Sequence, residues 1–196
     1  MFIDYENVRR TALGAFCDRG MPSHAGMVDP IALAELICAR RKRPSALGRV
    51  YVYRGKPSPI HQRTASSFFD RYAAAWARDP RCQVRSRDIK YRWLSDTEFV
   101  AQEKGIDVWL ATELIAHSLA NEAQAVVVVS SDTDLLPAVE YVLRDTPMHI
   151  EVAAWAGPGS FPLFLRDDLN QGQKRPYCHF LKKDDFTDLG CDGIFE

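Results

Sequence analysis

The sequence predicts an α/β protein with a parallel β-sheet flanked by helices on both faces, and three observations lead there. Ala125-Val126-Val127-Val128-Val129 is a short, unbroken, mostly β-branched apolar run, which suits a parallel strand buried on both faces. Other short strand-like runs recur along the chain, with helical patterns between them. Strands that alternate with helices imply right-handed crossovers and therefore parallel pairing.

In chain order, Met1-Phe2-Ile3 starts a strand at the N-terminus. Pro30 to Arg41 reads as a helix with apolar Ile31, Leu33, Ala34, Leu36, Ile37 and Cys38; Asp29 is placed to cap it and Pro30 suits its first position. Arg49 to Arg54 is a second strand, Pro59 to Ala77 a long helix carrying Phe68, Phe69, Tyr72 and Trp76, and Cys82 to Arg87 a weaker strand. Ile106 to Ala120 and Asp134 to Arg144 are helices on either side of the valine strand, and His149 to Trp155 is a further strand. From Gly157 onward the chain reads as irregular, apart from a helical turn near Phe161–Leu169. Residues 1–156 are thus expected to form one domain, with 157–196 as a C-terminal extension over a sheet face or edge.

Composition narrows the function classes. The formal net charge of −1 gives no global attraction to nucleic acid, but the balance is uneven. Asp184, Asp185, Asp188, Asp192 and Glu196 fall after the last Lys or Arg, so the rest of the chain carries a slight basic excess. Such an acidic end is either solvated or a mimic competing for a basic groove. The five cysteines contain no C-x-x-C pair, which argues against a zinc site or a disulfide framework and favours a reducing cytoplasm. Asp4 and Glu6 interrupt the N-terminus before a signal sequence forms, and no run approaches the ~18 apolar residues of a membrane span.

In a parallel sheet, ligands bind beyond the carboxyl ends of the strands, where the strand order reverses. Here the first strand runs into Asp4-Tyr5-Glu6-Asn7, and the valine strand into Ser130-Ser131-Asp132-Thr133-Asp134. A carboxylate directly after a buried apolar strand is costly unless compensated. An N-cap role explains one acid near residue 132, but not Asp132 and Asp134 together. Two close carboxylates repel, and a divalent cation relieves that; Mg²⁺ takes hard oxygen ligands and keeps several waters. Asp107 lies in the first turn of its helix, where the helix dipole alone also favours an acid. Lys104-Gly105 before it sets a cation and a flexible backbone beside the acids.

Three blocks, Phe2-Ile3-Asp4-Tyr5-Glu6-Asn7-Val8, Lys104-Gly105-Ile106-Asp107-Val108 and Val128-Val129-Ser130-Ser131-Asp132-Thr133-Asp134-Leu135-Leu136-Pro137, together resemble the signature of the NYN domain, a branch of the PIN-like ribonucleases. The resemblance implies a PIN-like (Rossmannoid) sheet of order 3-2-1-4-5. It also implies that Asp4 and Asp132 face each other, with Asp107 and Asp134 completing a Mg²⁺ site that also accepts Mn²⁺, and that Asn7 orients a ligand or water. Ser131 stands where Gly is common in the family, and the stretch from Asn7 to Asp29 is an insertion suited to a lid or a substrate-contacting loop.

The expected function is a metal-dependent nuclease, an endoribonuclease acting on single-stranded or loop RNA, with DNA as the alternative substrate. Asp4, Asp107, Asp132, Asp134 and Asn7 are its candidate catalytic set, and Lys104, Arg9, Arg10, Arg85 and Arg87 its candidate substrate contacts. Arg85, Arg87, Lys90 and Arg92 alternate along one run with Tyr91 and Trp93 interleaved, a pattern that suits stacking of unpaired bases or, equally, a solvated strand whose aromatics are buried. His61, His117 and His149 sit at ordinary helix or strand positions. The cluster Arg40-Arg41-Lys42-Arg43, at a helix C-terminus, is expected at the bottom of the sheet. A homo-oligomer or a regulatory partner is compatible with these features.

Rival readings fit less well. A haloacid-dehalogenase-like phosphatase wants D-x-D after the first strand, and Asp4-Tyr5-Glu6 gives D-x-E. A Toprim-like site lacks its upstream Glu. A catalytically silent RNA-binding or scaffolding module is the alternative from another class, and the intact acidic set argues against it.

Overall fold

The computed structural model describes residues 1–96, 98–158, 163 and 175–190. Its sheet has six parallel strands: β1 (Phe2–Asp4), β2 (Val50–Lys56), β3 (Cys82–Asp88), β6 (Ala125–Val129), β7 (His149–Trp155) and β8 (Tyr177–Leu181). Their spatial order is β3-β2-β1-β6-β7-β8. The expected 3-2-1-4-5 order therefore describes the first five parallel strands and is corrected by a sixth, added at the β7 edge. A separate antiparallel hairpin joins β4 (Lys90–Trp93) to β5 (Phe99–Gln102).

Side chains alternate across the sheet as a two-residue period requires. Ile3, Val50, Val52, Val127 and Val129 enter one core, shared with helices α1 (Tyr5–Phe16), α2 (Pro30–Arg40) and α3 (Arg63–Trp76). Phe2, Tyr51, Tyr53, Val126 and Val128 enter the other, under α4 (Ile106–Leu119) and α5 (Leu136–Asp145). The valine strand is buried on both faces because each side has its own helical layer. Asp29 caps α2 by accepting from the amides of Ile31 and Ala32, both at 2.8 Å, and Pro30 follows without the loss of a hydrogen bond. Among the described residues no helix is long and apolar enough to cross a membrane.

Two regions differ from expectation. The stretch after Asn7 continues as α1 and then returns through a tight turn at Ser23–Gly26 against that helix. The approach is so close that a Cβ on Gly26 would lie 2.3 Å from the Arg9 carbonyl oxygen, which restricts the position to glycine. The segment after Gly157 also holds more order than its composition suggested. Tyr177–Leu181 pairs with β7 from Glu151↔Tyr177 to Trp155↔Leu181, and α6 (Lys183–Asp188) follows. This strand has no β-branched residue, so its pattern was too faint to register. Leu163 apart, most of the helical turn expected near Phe161–Leu169 lies outside the described residues, as do Asp192 and Glu196. Asp185 is not simply solvated: it is buried and receives two hydrogen bonds from Arg40, one at 2.8 Å.

Candidate metal centre and nucleic-acid cleft

β1 and β6 lie side by side in the centre of the sheet. From β1 the chain crosses to β2 on one side, and from β6 it crosses to β7 on the other, so the switch point falls between them. Asp4 is the last residue of β1 and is only 4% exposed. Ser130 follows β6, and its hydroxyl donates to Asp4 Oδ2 at 2.9 Å while accepting from the Asp132 amide at 3.0 Å. One serine thus fixes both carboxylate-bearing strand ends relative to each other. The Asn7 amide donates to Asp4 Oδ1 at 3.3 Å, which makes Asp4 the N-cap of α1 as well. Asn7 Oδ1 accepts from the Ser131 amide and hydroxyl, at 3.0 and 2.9 Å. The serine that replaces the customary glycine therefore adds a hydrogen bond across the switch point.

Asp107 arrives from the first turn of α4, directed there by Gly105, whose φ of +74° only glycine adopts readily. Carboxylate oxygens of Asp4, Asp107 and Asp132 lie within 4.8 Å of one another. Among the described residues no other group of three or more His, Cys, Asp or Glu side chains converges in this way. Asp134 stands apart from the trio: it is exposed, and its amide donates to Asp132 Oδ1 at 2.9 Å.

The electrostatics of the cluster are unfavourable without a cation. Burial pushes Asp4 up to about 7, and Asp107 and Asp132 push the same way against the Ser130 and Asn7 hydrogen bonds. Burial raises Asp107 too, with Asp132 and Asp134 adding to it. The donor set is all carboxylate, with neither thiol nor imidazole, which suits a hard divalent cation. Oxygens sharing one Mg²⁺ lie about 3 to 4 Å apart, and the trio's oxygens, within 4.8 Å of one another, are close to that spacing.

The trio opens into a cleft of about 860 Å³. Sequence reasoning missed several of its lining residues, including Glu6, Arg54, Gln62 and Glu103. Glu103 is raised by burial and by the nearby Glu6 and Asp107, and it accepts the Gly55 amide at 2.8 Å. Only its place directly before the sequence block at 104–108 pointed to it.

The candidate substrate cations divide into two groups. Arg9 is tied to Glu6 by Nε at 3.0 Å, and its Nη1 donates to the Ser23 carbonyl; it braces α1. Arg85 donates to Glu113 on α4 at 3.2 Å, lies over the Tyr51 ring and does not line the cleft. Arg10, Arg87 and Lys104 are exposed and form no ion pair among the described residues. Arg10 lines the cleft, and Arg87 lies against Gly105, where an added Cβ would come within 2.9 Å of its Nη1. Arg40 and Arg41 are held in ion pairs with Asp185 and Glu151, away from the cleft.

Fold and site together define an α/β protein with a cluster of three carboxylates at its switch point, a donor set that could hold a metal ion. The chain matches the NYN domain family over residues 1–167 and belongs to that family, whose fold is PIN-like. Membership points to a nuclease-type, RNA-related function. No curated protein and no solved structure matched the chain significantly.

Proposed function

We propose that this protein is a divalent-metal-dependent endoribonuclease. The observation that carries the reading is the convergence of Asp4, Asp107 and Asp132, from three separate elements, inside a cleft that Arg10 lines, with Arg87 against Gly105 next to the helix of Asp107. The three carboxylates hold Mg²⁺ or Mn²⁺. When bound, such an ion supplies charge relief to a phosphoryl oxygen and makes a water more acidic. Asp134, one short turn beyond Asp132, acts through water at the edge of the shell. Asn7 uses its Oδ1 to tie the two strand ends together, which leaves its Nδ2 to donate to a phosphate oxygen or the attacking water. Ser130 keeps Asp4 in place. Arg10, Arg87 and Lys104 neutralise the phosphates on either side of the scissile bond, which makes binding salt-dependent. Among the described residues Cys17, Cys38, Cys82 and Cys178 are free thiols, which suits a reducing, cytoplasmic setting.

The test is a Mg²⁺ and Mn²⁺ titration on end-labelled single-stranded RNA, hairpin RNA and single-stranded DNA, with the product ends mapped. Metal-dependent internal cuts in RNA are expected. In Asp132→Asn they fall roughly a thousandfold, the rate equivalent of about 4 kcal/mol of lost charge stabilisation. RNA binding without cleavage at any metal concentration points instead to the silent module, and DNA cut faster than RNA overturns the substrate assignment.

A further inference from the structure

We infer that the β4–β5 hairpin is a stacking platform for unpaired nucleobases, with the Trp93 indole as its contact surface. The inference rests on the reading of the cleft as the path of a nucleic-acid strand. The hairpin register gives it two faces. Tyr91, Trp93, Phe99 and Ala101 share one, while Lys90, Arg92, Val100 and Gln102 share the other.

The aromatic face packs on His61, whose ring lies 4.6 Å from Tyr91 and 5.5 Å from Trp93. Phe99 and His61 both meet Trp93 edge-on, at 74° and 80°, so neither ring lies flat over the indole. The indole is thus held in orientation and yet is 50% exposed. Trp76 and Trp155, by contrast, are sealed in the core. Leu94 beside Trp93 and Ile60 beside His61 are exposed as well. A held, half-exposed indole in such surroundings is the expected form of a ligand contact rather than of core packing.

Continuity with the cleft says what the ligand is. Ala101 and Gln102 of β5 line the cleft that holds the carboxylates, as does Ile89 just before β4. The Tyr91 hydroxyl donates to Gln62, another cleft residue, at 2.9 Å, and accepts the Ser58 amide at 2.8 Å. The hairpin is therefore a wall of the cleft whose far end carries Trp93 outward. Lys90 and Arg92 are exposed on the opposite face of the same strand and form no ion pair among the described residues. Cations beside a presented aromatic ring are what a single strand needs, because every base offers a π-face and every linkage a charge. Duplex RNA keeps its bases stacked inside and offers the indole nothing.

The test is binding of a labelled twelve-residue oligouridine to the full chain by fluorescence anisotropy in EDTA. The parent binds, and its tryptophan fluorescence is quenched. Trp93→Ala weakens binding roughly tenfold, Trp93→Phe retains most of it, and a duplex of the same length is bound alike by all three. Equal oligouridine affinity in parent and Trp93→Ala overturns the inference. A molar mass that falls in Trp93→Ala with affinity unchanged also overturns it, and assigns the face to contact between copies of this chain. If the parent binds through Trp93 but cuts no RNA with any metal, the platform stands and the nuclease reading falls.

Discussion

Asp4 and Glu151 are almost equally buried, at 4% and 6% exposure, at opposite ends of neighbouring parts of one sheet. Near the amino end of β7, Glu151 accepts from Arg41 at 3.0 Å and is bonded to His179 at 2.7 Å and His149 at 2.9 Å. Burial opposes its ionisation, yet these partners outweigh that and hold its carboxyl down at about 2. At the carboxyl end of β1, Asp4 is hydrogen-bonded among the described residues by a serine hydroxyl and a backbone amide, and burial, with two further acids facing it, pushes it up to about 7. A buried carboxylate surrounded by cations belongs to the scaffold. One facing other carboxylates is a cost that a bound cation would relieve.

The contrast can be broken first by removing each charge. Glu151→Gln leaves the part-buried Arg41 without its counter-ion and is expected to destabilise the protein by about 3 kcal/mol in urea unfolding. Asp4→Asn, in the absence of metal at pH 8, is expected to raise the urea midpoint instead. Loss of stability of similar size in both variants would show that the two sites are electrostatically alike.

A smaller effect, with opposite signs at the two sites, lies in the pH dependence. Glu151 has a folded pKa of about 2 against an ordinary 4.5, so its stabilisation is present above about 4.5 and is lost as pH falls towards 2. Asp4 has a folded pKa of about 7 against an ordinary 3.8, so metal-free protein loses stability as pH rises from about 4 through 7. Urea midpoints across this range should show Glu151→Gln flattening the acid limb only, and Asp4→Asn the neutral limb only.

Much of this was legible in the sequence for local reasons. The valine run, the Asp29-Pro30 start of α2 and the acids after the first and valine strands are each decided within a few residues. Features set by distant partners were harder to read. Arg85 looked like a free cation because Glu113, its partner, lies on a helix that only tertiary packing brings near. The Arg9 ion pair was readable locally, since Glu6 lies three residues before it on the same helix; Arg9 still lines the cleft. β8 escaped because its place is set by the exposed edge of β7 rather than by its own pattern. The Ser130 bridge between Asp4 and Asp132 joins residues far apart in the chain, so no spacing could display it.

The central claim is that Asp4, Asp107 and Asp132 together hold a divalent cation. Its most direct test is the stability of the parent, Asp4→Asn and Asp132→Asn with and without Mg²⁺. At about a hundred times the dissociation constant, Mg²⁺ is expected to stabilise the parent by about 2.7 kcal/mol and to leave both variants unchanged. A parent that Mg²⁺ does not stabilise, or variants stabilised as much as the parent, would contradict it.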